Sequence, residues 1–275
     1  MTASVRDYQW NDKRLGVIGG GNMAEALLRG VISSGLLPPA SIAVFDPLPE
    51  RRKVFAELGC LAAGSASEVL KCDVILLATK PQGVRDALAG VELTGRQLLV
   101  SILAGVPTAV LEGLLPHGSR VVRVMPNTPL LVGMGMSGLA GGANADANDM
   151  ALALSLFAAG GDAAEVGEGD LDAVTALSGS GPAYVFRFAE SLMEGGEKLG
   201  LEPELARRLA IGTLRGAAEM LARDGDAVEL RRRVTSPGGT TAAALDVLER
   251  GDFAGLVARA LRAACERSVE LGRGT

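Results

Sequence analysis

Two clusters of small residues in this chain have the types and spacing needed to grip anions. The first is Gly19-Gly20-Gly21-Asn22-Met23-Ala24, where Gly19, Gly21 and Ala24 satisfy G-x-G-x-x-G/A directly after the apolar run 15–18. In such a segment the first glycine permits a tight turn, and the second lets a pyrophosphate reach the backbone. The small third residue lets a helix pack on the preceding strand. The helix opening at Asn22 and Met23 then aims its unpaired N–H groups at the phosphates. The second cluster is Arg233-Val234-Thr235-Ser236-Pro237-Gly238-Gly239-Thr240-Thr241, ahead of a helical run over 242–250. Gly238 and Gly239 with the hydroxyls of Ser236, Thr240 and Thr241 form a neutral nest suited to a carboxylate. One hydroxyl is enough to cap a helix, so three converging on a glycine pair point to anion binding.

Other candidates lie at the ends of apolar runs. Asp46 ends the second run, where the residue contacting an adenosine ribose is expected; it would accept hydrogen bonds from a 2′-hydroxyl and repel a 2′-phosphate, which favours NADH. Arg51 and Arg52 follow closely and can pair a 2′-phosphate if their loop folds back, or simply face solvent, so the choice between NADPH and NADH stays open. The loops Thr79-Lys80-Pro81 and Ala104-Gly105 follow later runs and are expected along the nicotinamide side, with Lys80 either a ligand contact or structural. Leu177-Ser178-Gly179-Ser180-Gly181-Pro182 leads small residues into a helix with proline near its first turn. The single histidine, His117, sits in Leu115-Pro116-His117-Gly118 and reads as a solvated turn.

These residues need a scaffold, and the apolar periodicity supplies one. Short Val/Ile/Leu runs at 15–18, 42–45, 74–78, 98–102 and 121–124 alternate with helical patterns starting near Asn22, Pro49, Gln82 and Pro107, the signature of βα units around a parallel sheet. A Gly/Asn/Asp-rich stretch at 141–149 interrupts the pattern and suggests a domain change. Beyond it only 163–166 reads as a strand, and from Asp170 the chain is helical with breaks at Gly200, 224–226 and 236–239. The expected class is α/β: a polar extension at 1–13, a Rossmann-type dinucleotide-binding domain at 14–167, and an all-helical dimerisation and substrate domain at 168–275. The segment 182–199 is apolar around most of its circumference, which predicts a homodimer whose helices cover one another.

Composition narrows the function. The 275 residues are 48% hydrophobic and only 3% aromatic, with a net charge of −5, so no basic stripe for nucleic acid is expected. Cys60, Cys72 and Cys265 lack paired spacing, so neither a disulfide framework nor a metal site is expected. The polar start and the absence of a long apolar run predict no export signal and no membrane span, hence a cytoplasmic protein.

Gly19 to Ala24, Ala78 to Gln82, Met125-Pro126-Asn127-Thr128-Pro129, Leu177 to Tyr184 and Val234 to Thr241 together resemble the Δ1-pyrroline-5-carboxylate reductase family, over nearly the whole chain after Arg14. The resemblance implies reduction of pyrroline-5-carboxylate to L-proline by NADPH or NADH, the last step of proline biosynthesis. It also implies dimers that in many members associate into decamers. By matching position, Ser236, Gly239, Thr240 and Thr241 hold the substrate carboxylate, with Thr241 nearest the ring nitrogen and Ser236 beside it in the catalytic set. An acidic family position falls on Glu168. Many relatives carry Ser or Thr where this chain has Asp46. Two competing readings are a β-hydroxyacid dehydrogenase or other imine reductase, for which Lys198 is a poor acid, and a non-catalytic nucleotide sensor, which would not need the Ser236 loop.

Overall fold

The structure is a computed structural model that describes residue 10, residues 12–89 and residues 93–273. Of the expected N-terminal extension, residues 1–9 and 11 lie outside the described residues. Trp10 is buried and donates its indole N–H to Ser155 Oγ at 3.0 Å, so this part of the segment belongs to the core.

By its contacts the chain divides into two compact units, Met1–Ser180 with Ala263–Thr275, and Gly181–Arg262. The first unit holds one eight-stranded sheet. In chain order its elements are β1 (Leu15–Ile18), α1 (Asn22–Ser33), β2 (Ile42–Phe45), α2 (Pro49–Glu57), β3 (Leu61–Ala62), α3 (Ala66–Val69), β4 (Val74–Leu77), α4 (Val84–Leu88), β5 (Leu98–Ser101), α5 (Thr108–Gly113), β6 (Arg120–Met125), β7 (Gly135–Gly141), α6 (Ala147–Ala158), β8 (Gly161–Glu165) and α7 (Leu171–Val174). The spatial order β3-β2-β1-β4-β5-β6-β7-β8 reverses direction between β1 and β4, which pair in parallel from Leu15↔Val74 to Ile18↔Leu77. In sheets of this kind, ligands bind beyond the carboxyl ends of the strands at such a reversal.

Strand side chains alternate between faces, and here both faces are apolar because helices cover both. Leu15, Val17, Val74, Leu76, Leu98 and Val100 pack with Leu27, Leu28 and Phe157 of α1 and α6. Ile18, Ile75, Leu77 and Leu99 instead pack with Val84, Leu88 and Leu111 of α4 and α5. Near-continuous apolar runs are the expected mark of strands buried in this way, and four of the six predicted strands start where expected.

Two features depart from the sequence reading. The sheet is not wholly parallel, since β7 runs antiparallel to β6. Residues 141–149 are also not a change of domain: Gly141 ends β7, Asp146 caps α6 by accepting from the Asn148 and Asp149 N–H groups, and β8 then pairs with β7. The cap is reinforced by Arg120, which donates to the buried Asp149 carboxylate at 2.7 Å; burial nevertheless pushes the Asp149 carboxyl up.

The second unit is helical: α8 (Gly181–Lys198), α9 (Pro203–Asp224), α10 (Ala227–Arg233), α11 (Thr240–Arg250) and the start of α12 (Phe253–Arg273). The predicted breaks coincide with the α8/α9, α9/α10 and α10/α11 junctions, and a further one falls at Gly251-Asp252. Among the described residues, no helix is long and apolar enough to cross a membrane.

Candidate active site

Beyond the carboxyl end of β1 the chain must turn sharply past β4, and Gly19 makes the turn at φ +100°. A Cβ there would lie 2.6 Å from the Ala78 carbonyl oxygen, so only glycine is accommodated. Gly21, immediately before α1, faces open space: a Cβ added to it meets nothing within 4 Å. Ala24 is fully buried where α1 lies on the sheet. The N-terminus of α1, with Asn22 and Met23 as its first residues, therefore opens onto a backbone cradle with a positive end.

Asp46 stands at the end of β2. Its Oδ2 accepts from the Gly20 N–H at 2.7 Å and its Oδ1 from the Leu48 N–H at 2.9 Å, so the carboxylate is anchored at both oxygens while retaining further lone pairs. Arg51, the first-turn residue of α2 expected near a phosphate, is held instead by its own chain. Its Nε donates to the Gly20 carbonyl at 2.5 Å and its Nη2 to Glu25 Oε2 at 2.8 Å. Arg52 donates to the Asp46 carbonyl oxygen at 2.6 Å.

The loop after β4 carries Thr79, whose buried Oγ1 has no hydrogen-bond partner. A buried orphan hydroxyl is costly unless a ligand completes it, and this one follows the peptide that packs against Gly19. Lys80 is exposed and Pro81 opens a 3-10 turn, with the Gly83 N–H donating to the Lys80 carbonyl. After β5, Gly105 adopts φ +75°, and its backbone lies against the end of α12: a Cβ on Gly272 would sit 2.6 Å from the Gly105 oxygen. Ser268 of α12 donates to Asp172 of α7 at 2.6 Å. The glycine turn, the open α1 terminus and the orphan hydroxyl together suit a dinucleotide.

Glu168 lies between β8 and α7. Its Oε1 accepts from Arg123 at 2.8 Å and from the Thr108 N–H at 3.1 Å, so it neutralises a buried β6 arginine and caps α5. Its Oε2 is buried without a partner.

In the second unit, Ser236, Gly238, Gly239, Thr240 and Thr241 form the turn from α10 into α11. Gly238 takes φ +69°, and the Gly239 N–H closes the turn on the Ser236 carbonyl at 3.1 Å. Ser236 Oγ lies directly over Gly239, 2.5 Å from where a Cβ would be. Gly239 precedes the helix without a side-chain cap, and among the described residues the hydroxyls of Ser236, Thr240 and Thr241 have no hydrogen-bond partner. Ser236 and Thr240 are exposed and Thr241 is half-buried. The turn thus presents α11 N–H groups and three free hydroxyls, the donor set a carboxylate requires.

Three residues of this architecture are given no role in the sequence reading. Asn127 accepts from the Met136 N–H at 2.9 Å and donates to Ser178, tying the Met-Pro-Asn-Thr-Pro loop to the turn before α8; an asparagine between two prolines after a strand was its signal. Arg123 was visible as a charge interrupting the apolar run Val121–Val124. Glu25 carried no motif.

A family model described as "Pyrroline-5-carboxylate reductase dimerisation" matches residues 168–271, and one described as "NADP oxidoreductase coenzyme F420-dependent" matches residues 14–105. A pyrroline-5-carboxylate reductase of Pseudomonas aeruginosa is 44% identical over 265 residues, covering 94% of this chain and 96% of its own length. The solved pyrroline-5-carboxylate reductase of Coxiella burnetii superposes with a TM-score of 0.89 at 38% identity, covering 94% of this chain and 98% of its own. That of Plasmodium falciparum, solved with NADP bound, gives 0.85 at 33% identity, covering 95% and 98%. With identity of this level over nearly the whole chain, the chain belongs to the pyrroline-5-carboxylate reductase family.

Proposed function

We propose that the protein reduces 1-pyrroline-5-carboxylate to L-proline with NADPH or NADH, the final step of proline biosynthesis. The observation that carries this reading is the Ser236–Thr241 turn, with three unpartnered hydroxyls and a free helix terminus, in a chain of this family. A nucleotide sensor has no use for such a turn. A β-hydroxyacid dehydrogenase would need an acid, and Lys198 ends α8 without a motif around it.

Gly19, Gly21, Asn22 and Met23 are assigned to the pyrophosphate, Asp46 and Arg51 to the adenosine ribose end, and Thr79, Lys80, Pro81, Ala104 and Gly105 to the nicotinamide side. Thr79 Oγ1 gains its missing partner there. The bound dinucleotide supplies the hydride that adds to the C=N carbon. Gly238, Gly239, Thr240 and Ser236 hold the carboxylate, which fixes the ring, and the Thr241 hydroxyl is assigned to the ring nitrogen. Because the imine binds as its iminium cation, the proton that appears on proline nitrogen is already present, and no strong acid is asked of the chain. Positioning is then the main contribution of the protein. Glu168, through its unpartnered Oε2, is assigned as a further substrate contact.

The domain division proposed from sequence is 14–167 for nucleotide and 168–275 for dimerisation and substrate; the 168–271 family match supports it, and contacts divide the chain after Ser180. A homodimer through the helical part, associating further into decamers, and a cytoplasmic location complete the proposal. The reducing compartment suits Cys60 and Cys72, buried free thiols, the first pushed up to about 11 by burial.

The test is consumption of NADH and of NADPH, at matched concentrations, with pyrroline-5-carboxylate. Turnover with at least one is expected, and Thr241→Ala should lower it by roughly 10²-fold, the scale of a lost transition-state donor, while nucleotide Kd changes less than about twofold. No turnover with either nucleotide overturns the assignment; loss of nucleotide binding in Thr241→Ala overturns the division of roles.

A further inference from the structure

The nucleotide cradle contains an ion-pair arrangement that the proposed reaction does not use. Glu25 occupies the first turn of α1 and bridges two arginines: Oε1 accepts from Arg29 at 2.8 Å and Oε2 from Arg51 at 2.8 Å. The two guanidinium groups, Arg29 first, hold the Glu25 carboxyl below its ordinary value, so it is charged at neutral pH. Arg51 is gripped a second time by the Gly20 carbonyl, while Asp46 takes the N–H of the same residue. The arginine and the aspartate therefore both hold Gly20, one through its carbonyl and the other through its N–H, in the turn after β1 and beside the end of β2, where the adenosine ribose is read. The Asp46 carboxyl group is held there by two backbone amides and cannot swing aside without losing both. Arg51, the residue able to answer a 2′-phosphate, is neutralised and turned toward α1.

We infer that Glu25 is a positioning residue for cofactor choice: by retaining Arg51 it withholds a 2′-phosphate partner and sets this chain toward NADH. The inference rests on the nucleotide site proposed above and goes beyond it, because Glu25 acts through Arg51. Two anions compete for one guanidinium, and a 2′-phosphate can take the Arg51 Nη2 that Glu25 now holds only by displacing Glu25. Glu25→Gln keeps the shape of the side chain and removes the charge that holds the arginine.

The experiment is calorimetric titration of the full-length protein with NADH and with NADPH, for wild type, Glu25→Gln, and Glu25→Gln with Arg51→Gln. The NADPH-to-NADH affinity ratio should rise about tenfold in Glu25→Gln, the scale of one charge-assisted hydrogen bond, and fall back in the double variant. A loss of general stability would weaken both nucleotides alike and leave the ratio where it was. An unchanged ratio in Glu25→Gln overturns the inference, as does a raised ratio that survives loss of Arg51. If wild type binds neither nucleotide, the nucleotide site itself is overturned.

Discussion

At the residue scale, the cofactor turn shows how far a motif can be read and where reading stops. Gly19 is identifiable from spacing alone because its φ of +100° and its approach to the Ala78 carbonyl admit no side chain. Gly19→Ala should therefore cost about 1–3 kcal/mol from backbone conformation, with the clash in addition. It should lower the thermal midpoint by several degrees and abolish protection of the protein by added dinucleotide; a variant still stabilised by nucleotide would show that this turn does not hold it. The glycines, Asp46 and the Ser236–Thr241 hydroxyls were legible because each has a local stereochemical requirement. Glu25 was not, since its meaning comes from Arg51, 26 positions away and brought near only by the pairing of β1 with β2.

At the scale of elements, the strands that carry buried Val, Ile and Leu were legible, and those built of other residues were not. Strand β7 reads GMSGLAG, a composition that resembles a loop, and β8 (GDAAE) was legible only in its second half, where 163–166 reads as a strand. Their pairing is set by neighbours already in the sheet, information no local window holds. The same limit hid the role of Glu168, which ties three elements by joining Arg123 of β6 to the first N–H of α5. Arg123 is 4% exposed, so removing its partner leaves a buried charge. Glu168→Ala is expected to destabilise the protein by about 3 kcal/mol in denaturant unfolding, less than the full range for a buried pair because Glu168 is partly solvated. A loss below about 0.5 kcal/mol would reduce the pair to a surface contact.

At the scale of the whole molecule, the helical part exposes Val185, Phe186 and Phe188 of α8 and Leu205, Leu209 and Ile211 of α9 in the single chain. An apolar surface of this extent needs cover, and a dimerisation family model spans it. Phe186, 62% exposed, is a large residue on that surface. Phe186→Glu should shift the protein from dimer to monomer in sedimentation at micromolar concentration; an unchanged dimer would place the interface on other helices. The sequence predicted a homodimer through the apolar residues of α8, but not the course of α12. That helix begins among the dimerising helices, and its final turns bring Gly272 against Gly105 beside β5 and Ser268 onto Asp172. The nucleotide half is consequently no transferable cassette: a chain cut after Ser180 would lack the backbone that abuts Gly105. Recombination that exchanged only the first 180 residues between relatives would have to preserve a glycine match with a segment inherited separately.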